Sequence, residues 1–375
     1  MKTYDCAIIG GGIAGLSLSI QLAQKGYEVV LLEKKRYPFH RVCGEYVSME
    51  TWDFIESLGV SLTHEQLPKI ERLQLTTPKG KSLQAPLPLG GFGISRYRLD
   101  HLLFQQAKNV GVEVLEGHGV NHVKRLHCDI FEVKSGTTTL QARVTVGAFG
   151  KQSNLDQALQ RKHKMKHRYS DFIGVKYHVE ADLPEDLIGL HNFKEGYCGI
   201  SKIEDHRYCM CYLTTATNLK KAGGSIHRME QEILSENPYL RQFLGFKRLY
   251  EKPLAISQID FSSKELFHKD IIMIGDAAGL IAPLSGNGMS MAFRSSNMLA
   301  SLLERYFQDQ MSWEVLKQLY AKQWKNEFGS RLKTGRILQG ILKNTRWAYR
   351  TLELLTLFPW LTRQIILRTH GKPFL

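Results

Sequence analysis

Long apolar runs are missing from this sequence. No stretch reaches the roughly 18 uninterrupted apolar residues that a membrane-spanning helix needs, so a spanning protein is not expected. The apolar N-terminal stretch from Cys6 is broken by glycines and followed by Gln21, Gln24 and Lys25. It has no cleavage-like site, which argues against a signal peptide. Paired cysteines are equally scarce. Six are scattered at positions 6, 43, 128, 198, 209 and 211. The one close pair, Cys209-Met210-Cys211, has neither a CxxC nor a zinc spacing, so no metal centre is expected and reduced, cytosolic thiols fit best. In a strand those two cysteines point to the same face. Low-complexity tracts and internal repeats are also absent, which excludes solenoids and disordered arrays.

What is present is an ordinary globular composition, 43% apolar and 23% charged, over 375 residues. That length holds two domains, or one large domain with an insertion. The net charge is +14, and it is concentrated: from Lys317 onward, twelve Lys or Arg face two Glu, and "RKHKMKHR" at 161–168 adds a second cluster. Basic surfaces suit nucleic acid, anionic membranes or anionic cofactors. No nucleic-acid motif accompanies the charge, so no nucleic-acid partner is expected.

"YDCAIIGGGIAGLSLSIQLAQKGYEVVLLEK" reads as strand, tight turn, helix, turn, strand. Residues 4–9 are β-prone and apolar, as a buried parallel strand should be. The pattern predicts a helix over 13–25, a left-handed cap at Gly26 and a second strand over 28–33. Gly10, Gly12 and Gly15 spell GxGxxG. The first makes the tight turn, the second admits a pyrophosphate to the backbone, and the third lets helix and strand pack closely. The helix start, Ile13 and Ala14, offers amides and a positive dipole end to phosphates. Glu33, with Lys34 after it, closes the second strand where an acid accepts the ribose hydroxyls of an adenosine. An acid there disfavours a 2′-phosphate, so the dinucleotide is NAD-type or FAD rather than NADP.

The segment "IIMIGDAAGLIAPLSGNGMSMAFRSSNMLA", 271–300, decides between them. A short strand ends in Gly275-Asp276, and a helix begins near Gly288. Asp276, Pro283, Gly286, Gly288 and Met289 resemble the second flavin motif of the p-hydroxybenzoate hydroxylase superfamily. The chemistry agrees: an acid at a strand end accepts from ribityl hydroxyls, and a helix N-terminus at Gly288 and Met289 stabilises the charge of a reduced flavin. FAD is therefore the expected cofactor. "ISRYRLDHLLFQQAKNVGVEVLEG", 94–117, resembles the same superfamily's Arg-x-x-Leu-Asp helix and following strand. The resemblance implies Arg96 near the flavin chain and backbone near Val120 at the adenine. NAD(P)H is the electron donor it implies. One departure stands at "GAFGKQSNLDQ", 147–157, where Phe149 replaces the usual acid and Asp156 the usual arginine, leaving the donor's docking open.

"RVCGE", 41–45, follows the second strand. The superfamily places an arginine from this loop on the pyrophosphate, a role Arg41 matches. Cys43-Gly44 resembles the geranylgeranyl reductase branch, and the resemblance implies Cys43 beside the flavin as a catalytic residue, with Gly44 giving the backbone room. "GDAAG" and "PLSGNGM" are similar to that branch too. Its Tyr-x-Trp-x-Phe-Pro substrate motif is missing, and "EGYCGISK", 195–202, takes its place.

The expected fold is α/β: a Rossmann-like FAD-binding domain from 1–70, 95–155 and 265–305, an inserted mainly antiparallel substrate sheet from 71–94 and 156–264, and a C-terminal helical region, 306–375. A hairpin over 71–90 turning at 78–80, and strands over 172–180, 197–203 and 207–214, build the roof. Tyr177, Tyr197, Tyr208, Tyr212, Phe193 and the cysteines are its available wall, which suits a small hydrophobic substrate. "RILQGILKNTRWAYRTLELL", 336–355, reads as one basic amphipathic helix: Arg336, Lys343, Arg346 and Arg350 on one face, Leu338, Ile341, Leu342, Thr345, Tyr349 and Leu352 on another. Such a helix either docks on the protein or lies on an anionic bilayer. Location in the cytoplasm, with peripheral contact at the inner membrane face, follows as an expectation. Functionally, the resemblance implies an FAD-dependent oxidoreductase reducing a polyprenyl or other lipid double bond. The alternatives are a monooxygenase hydroxylating an aromatic, lipid or polyketide substrate through a C4a-hydroperoxide, and a non-catalytic, membrane-associated flavin-binding protein.

Overall fold

The computed structural model describes residues 2–375 except 128–129, 152, 162–171, 260, 262–263, 281–286, 344 and 370. The chain begins with β1 (Thr3–Ile9), α1 (Ile13–Gln24), β2 (Val29–Glu33), β3 (Tyr46–Ser48), α2 (Trp52–Ser57), β4 (Lys69–Thr76) and β5 (Ser82–Gly93). It continues through α3 (Arg96–Asn109), β6 (Glu113–Glu116), β7 (His122–His127), β8 (Ile130–Ser135), β9 (Thr138–Gly147), α4 (Asn154–Ala158), β10 (Phe172–Glu180), β11 (Leu187–Phe193), β12 (Gly196–Lys202) and β13 (Tyr208–Thr215). Then come α5 (Ala216–Lys221), α6 (Ile226–Glu232), α7 (Pro238–Phe243), β14 (Lys247–Arg248), β15 (Leu254–Ile259), β16 (Phe267–His268), β17 (Ile271–Met273) and α8 (Gly288–Phe307). The chain closes with α9 (Trp313–Lys343), α10 (Thr345–Leu357) and α11 (Pro359–Thr369).

Two sheets carry the molecule. The first runs β16-β17-β9-β1-β2-β6, with β7 and β8 folded onto β9. Its centre is parallel: β1 pairs with β2 and with β9, β9 with β17, and β2 with β6. Strands buried on both faces need apolar residues at every position; β2, VVLLE, is buried throughout. α1 and α8 cover one side, tied by Ser17 to Ser296 at 2.6 Å. The second sheet runs β14-β10-β13-β12-β11-β4-β5-β3, with β15 on β10. It is antiparallel apart from β11 on β4. The α/β class and the antiparallel second sheet agree with the sequence reading, and β11 is a strand that reading did not contain.

Alternation splits the second sheet's residues between two different layers. On one face Ile173, Val175, Tyr177, Val179, Cys198, Ile200, Tyr208, Met210 and Tyr212 pack with Met229 of α6 and with Leu240 and Phe243 of α7. On the other, Phe172, Leu190, Tyr197 and Leu213 meet Ile259, Phe261 and Leu280. Leu280 lies just past Gly275-Asp276, so this second face is turned toward the end of the parallel sheet. At the C-terminus, 336–355 is helical on both sides of residue 344, which lies outside the described residues. Ile366 of α11 packs with Tyr46, Ile70 and Leu87 of the second sheet. Among the described residues, no helix is long and apolar enough to cross a membrane.

Candidate functional site

The glycine-rich turn is built as its chemistry requires. A Cβ on Gly15 would lie 2.0 Å from the Gly10 carbonyl oxygen, and one on Gly10 (φ +109°) 2.6 Å from that of Ala148. Neither position admits a side chain. Gly12 differs: the nearest atom to a notional Cβ is the Arg96 guanidinium at 3.8 Å, so open space fronts its backbone. α1 starts at Ile13, with Gly12 as its extended N-cap residue and no side chain satisfying the end. Free amides therefore face that space.

Charged groups ring it. Glu33, 4% exposed, accepts from Gly11 N at 2.9 Å and from Arg41 Nη2 at 3.2 Å. Lys34 is exposed just beyond it. Arg41 also donates to the Gly11 carbonyl at 3.2 Å and to Asp100 at 2.9 Å. Arg96 makes two bonds to Asp100, at 2.7 and 2.8 Å. Two guanidinium groups thus converge on one buried carboxylate beside the open turn. Val120 packs against the first core from the loop after β6.

Gly275 brings the far motif to the same place. Its φ is +57°, and a Cβ there would sit 3.0 Å from that of Ala14; its amide donates to Ser295 of α8 at 3.0 Å. The next residue, Asp276, accepts no side-chain hydrogen bond from the described residues. Burial pushes its carboxyl up, against the pull of Lys151, Lys264, Arg96 and Arg41. Gly288 and Met289 open α8, whereas Pro283 and Gly286 lie outside the described residues. An open amide-lined turn, an acid at the strand end, two converging arginines and an unpaired acid opposite fit a dinucleotide such as FAD. Asp156, where an arginine was expected, is buried against Arg161 at 2.7 Å. Arg161 also donates to the carbonyls of Glu265 and Ala277, at 2.8 and 3.2 Å. The arginine stands five residues later than the motif places it, and there it staples α4 to the Gly275-Asp276 turn.

The 41–45 loop leads from this cradle to the second sheet. A Cβ on Gly44 would meet nothing within 4 Å, and Cys43 is a half-buried free thiol. The Cys43 carbonyl accepts from the Cys209 thiol at 3.3 Å. Glu45 is the residue the sequence reading passed over. Fully buried, it accepts from the Arg96 amide at 2.7 Å, from His178 Nε2 at 2.6 Å, and from Lys176 Nζ, which also donates to the Arg41 carbonyl at 3.2 Å. Burial alone would raise the Glu45 carboxyl, but Lys176 and His178 outweigh it and hold it at about 2. Lys176 is pushed up in turn, its burial outweighed by Glu45. A Lys and a His two apart in a strand buried through 172–179 was the signal.

The expected wall is corrected by the strand register. Tyr177, Tyr208, Tyr212, Phe193 and Cys198 face α6 and α7. Tyr177 and Tyr212 donate to Glu230 there, at 2.7 and 2.9 Å. Of that set, Tyr197, Cys209 and Cys211 belong to the loop-facing side. Tyr197 is 6% exposed, and its hydroxyl has no partner among the described residues; burial pushes it well above the usual phenol range.

The sequence pattern described as FAD binding domain matches residues 3–323. Conditioned medium factor receptor 1 of Dictyostelium discoideum is 26% identical, over 87% of this chain and 68% of its own. Digeranylgeranylglycerophospholipid reductase of Methanococcus vannielii is 23% identical, over 87% of this chain and 83% of its own. Among solved structures, the flavin-dependent brominase Bmp2 superposes with a TM-score of 0.80 at 19% identity, covering 98% of this chain and 93% of that one. At that identity the likeness is one of fold.

Proposed function

Because the chain belongs to the FAD binding domain family, of the p-hydroxybenzoate hydroxylase type, and is thereby an FAD-dependent oxidoreductase, we propose that it reduces a double bond of a polyprenyl or similar lipid. NAD(P)H is the family's usual electron donor. The observation that carries the proposal is the buried apolar layer of Phe172, Leu190, Tyr197, Leu213, Phe261 and Leu280, which a lipid chain would enter between the side chains. It lies on the face of the second sheet turned to the cradle, next to the Gly275-Asp276 turn. A lipid chain there loses water at about 25 cal/mol per Å² of apolar surface. The Methanococcus reductase relative supports the same substrate class.

In this reading the amides of Gly12, Ile13 and Ala14 face the diphosphate, with Arg41 and Arg96 turning from Asp100 toward it. Gly10 and Gly15 keep the turn tight. Glu33 and Lys34 take the adenosine ribose, and backbone at Val120 the adenine. Asp276 accepts from the ribityl chain, and the start of α8 at Gly288 and Met289 faces the flavin ring. Bound FAD supplies hydride-transfer chemistry. Cys43 and Gly44 are the loop residues that would line its site, Gly44 with an open backbone. A second reading, hydroxylation of an aromatic ring, draws on the unpartnered Tyr197 hydroxyl, which suits a phenolic substrate.

The C-terminal helices extend the proposal to a lipid surface. Leu357 and Trp360 are 73% and 65% exposed, with Leu354, Phe358 and Leu367 also bare. An apolar ridge in a segment with ten more basic than acidic residues suits an anionic bilayer. Expected outcomes are clear. Incubated with NAD(P)H and a geranylgeranyl lipid, the protein yields product heavier by one hydrogen pair per reduced bond in mass spectrometry. Unchanged lipid together with consumed oxygen and a hydroxylated phenol selects the second reading.

A further inference from the structure

The cluster behind the 41–45 loop is costly to build. Lys176, His178 and Glu45 each expose 1% or less of the side chain. Apolar residues of similar volume serve stability as well as a buried ion pair, or better. Glu45 is also a non-glycine residue at φ +57°, a disfavoured conformation that is held only by its surroundings. The ligand atoms of Glu45, His178 and Cys209 lie within 4.8 Å of one another. A metal is disfavoured there because the Lys176 ammonium already occupies Glu45, and a second cation would meet it at close range.

The cluster is hydrogen-bonded inward and continued outward by ring contacts. Inward, Lys176 and Cys209 bond the carbonyls of Arg41 and Cys43, so it touches the loop on either side of Val42. Outward, the His178 ring meets His40 edge-on at 5.3 Å. His40 in turn stacks on Tyr97 at 4.6 Å and meets Tyr250 at 4.9 Å. Those two tyrosines are 41% and 38% exposed. Nδ1 of His178 and Nδ1 of His40 are both buried with no partner among the described residues. Buried nitrogens of this kind are places where ordered water sits and passes protons.

We propose that His40, His178, Glu45 and Lys176 form a proton path from the solvent rim at Tyr97 and Tyr250 to the pocket side of the Cys43 loop. The proposal rests on the reading that places bound flavin at that loop. Adding hydride to one carbon of a double bond requires a proton on its neighbour. That proton leaves Lys176 Nζ and is replaced across the Glu45 carboxylate from His178 Nε2. His178 is refilled through His40 from water, so one proton leaves bulk solvent and no side chain is oxidised or reduced. His40 faces Arg207 and Lys176 as well as His178 and Glu45, and burial first, then Lys176 and His178, holds it down at about 4. It is therefore neutral at neutral pH, and it passes a proton only by taking one at one ring nitrogen as the other releases one. Lys176 faces Cys209 and Cys43 besides Glu45. His40, His178 and Glu45 are relay residues without substrate contact, and Lys176 is the residue that hands the proton over.

Molecular oxygen serves as a probe that needs no identified substrate, since dioxygen taking up one hydride equivalent and one proton leaves as hydrogen peroxide. The holoprotein is reduced anaerobically with dithionite and mixed with oxygenated buffer in H2O and D2O across a pH series. His178→Gln, His40→Asn and Lys176→Met are compared with the parent for FAD content and for the return of oxidised-flavin absorbance. We expect full FAD content, reoxidation slowed at least about tenfold as pH rises, a larger solvent isotope effect, and rescue by imidazole in the buffer. A parent-like pH profile and isotope effect in FAD-loaded His40→Asn overturns the path, and so does slowing that is identical in H2O and D2O. His40→Asn changes a residue near the rim, outside the cradle, so the test stands even where Lys176→Met fails to fold. A parent protein that binds no FAD is a separate failure, that of the flavin reading.

Discussion

The two faces of the second sheet are made by the same strands and solve the burial of charge in opposite ways. Toward α6 and α7, a single acid, Glu230, is closed off by the hydroxyls of Tyr177 and Tyr212 and by Arg248 at 2.9 Å. The layer around it is largely apolar, although His191 Nε2, beside Tyr239 and Phe243 of α7, has no partner among the described residues. Toward the 41–45 loop, Glu45 binds Lys176 and His178, and the same face leaves His178 Nδ1, Ser201 Oγ and Tyr197 OH without partners. A buried polar group with no partner costs about 1–3 kcal/mol. The face toward α6 and α7 is a structural core that happens to contain an acid. The face toward the 41–45 loop gathers more of its polar groups beside the proposed site.

Mutations can break or sharpen this contrast. Glu45→Ala strands the Lys176 ammonium in the interior and should cost about 3–5 kcal/mol in urea unfolding. Glu230→Ala strands two hydroxyls and a partly hydrated arginine, and should cost about 2–3 kcal/mol while leaving the flavin spectrum unchanged. A flavin spectrum that shifts with Glu230→Ala would erase the distinction between the faces. The tyrosines make a finer test. Tyr212→Phe loses a bond and should cost about 1 kcal/mol, whereas Tyr197→Phe removes an unpartnered hydroxyl and should be neutral or slightly stabilising. Equal losses would mean Tyr197 has a protein partner after all.

A further effect is in acid. His40 is held at about 4 in the folded protein against an ordinary 6.5, so the unfolded chain binds the extra proton and stability falls as pH drops through that window. Glu45, held at about 2 against 4.5, contributes stability that is intact above 4.5 and lost as pH falls through 2. In a plot of urea midpoint against pH, His40→Asn should flatten the upper window and leave the lower one in place.

The first flavin motif was legible because its parts are local. Strand, turn, helix and acid all lie within residues 3–33, and Gly15 is required by an atom only five residues away. Asp276 and the start of α8 were legible for the same reason. The roof was harder to read. β11 pairs in parallel with β4, and nothing near 187–193 announces a partner more than a hundred residues back. Tyrosine identity could not say which face each ring takes; only the register does, and it sends Tyr177, Tyr208 and Tyr212 away from the cradle. The 41–45 loop shows both limits. Arg41, Cys43 and Gly44 stood out by type, but Glu45 acquires its meaning from Lys176 and His178, 131 and 133 positions away.

The central claim is that reduced flavin in this protein gives its hydride to a lipid double bond. It is tested most directly by anaerobic stopped-flow mixing of the dithionite-reduced protein with a geranylgeranyl lipid. The account predicts that oxidised-flavin absorbance returns without oxygen, at a rate that rises with lipid concentration. A flavin that stays reduced until oxygen is admitted, and then turns over only with a phenol present, contradicts it.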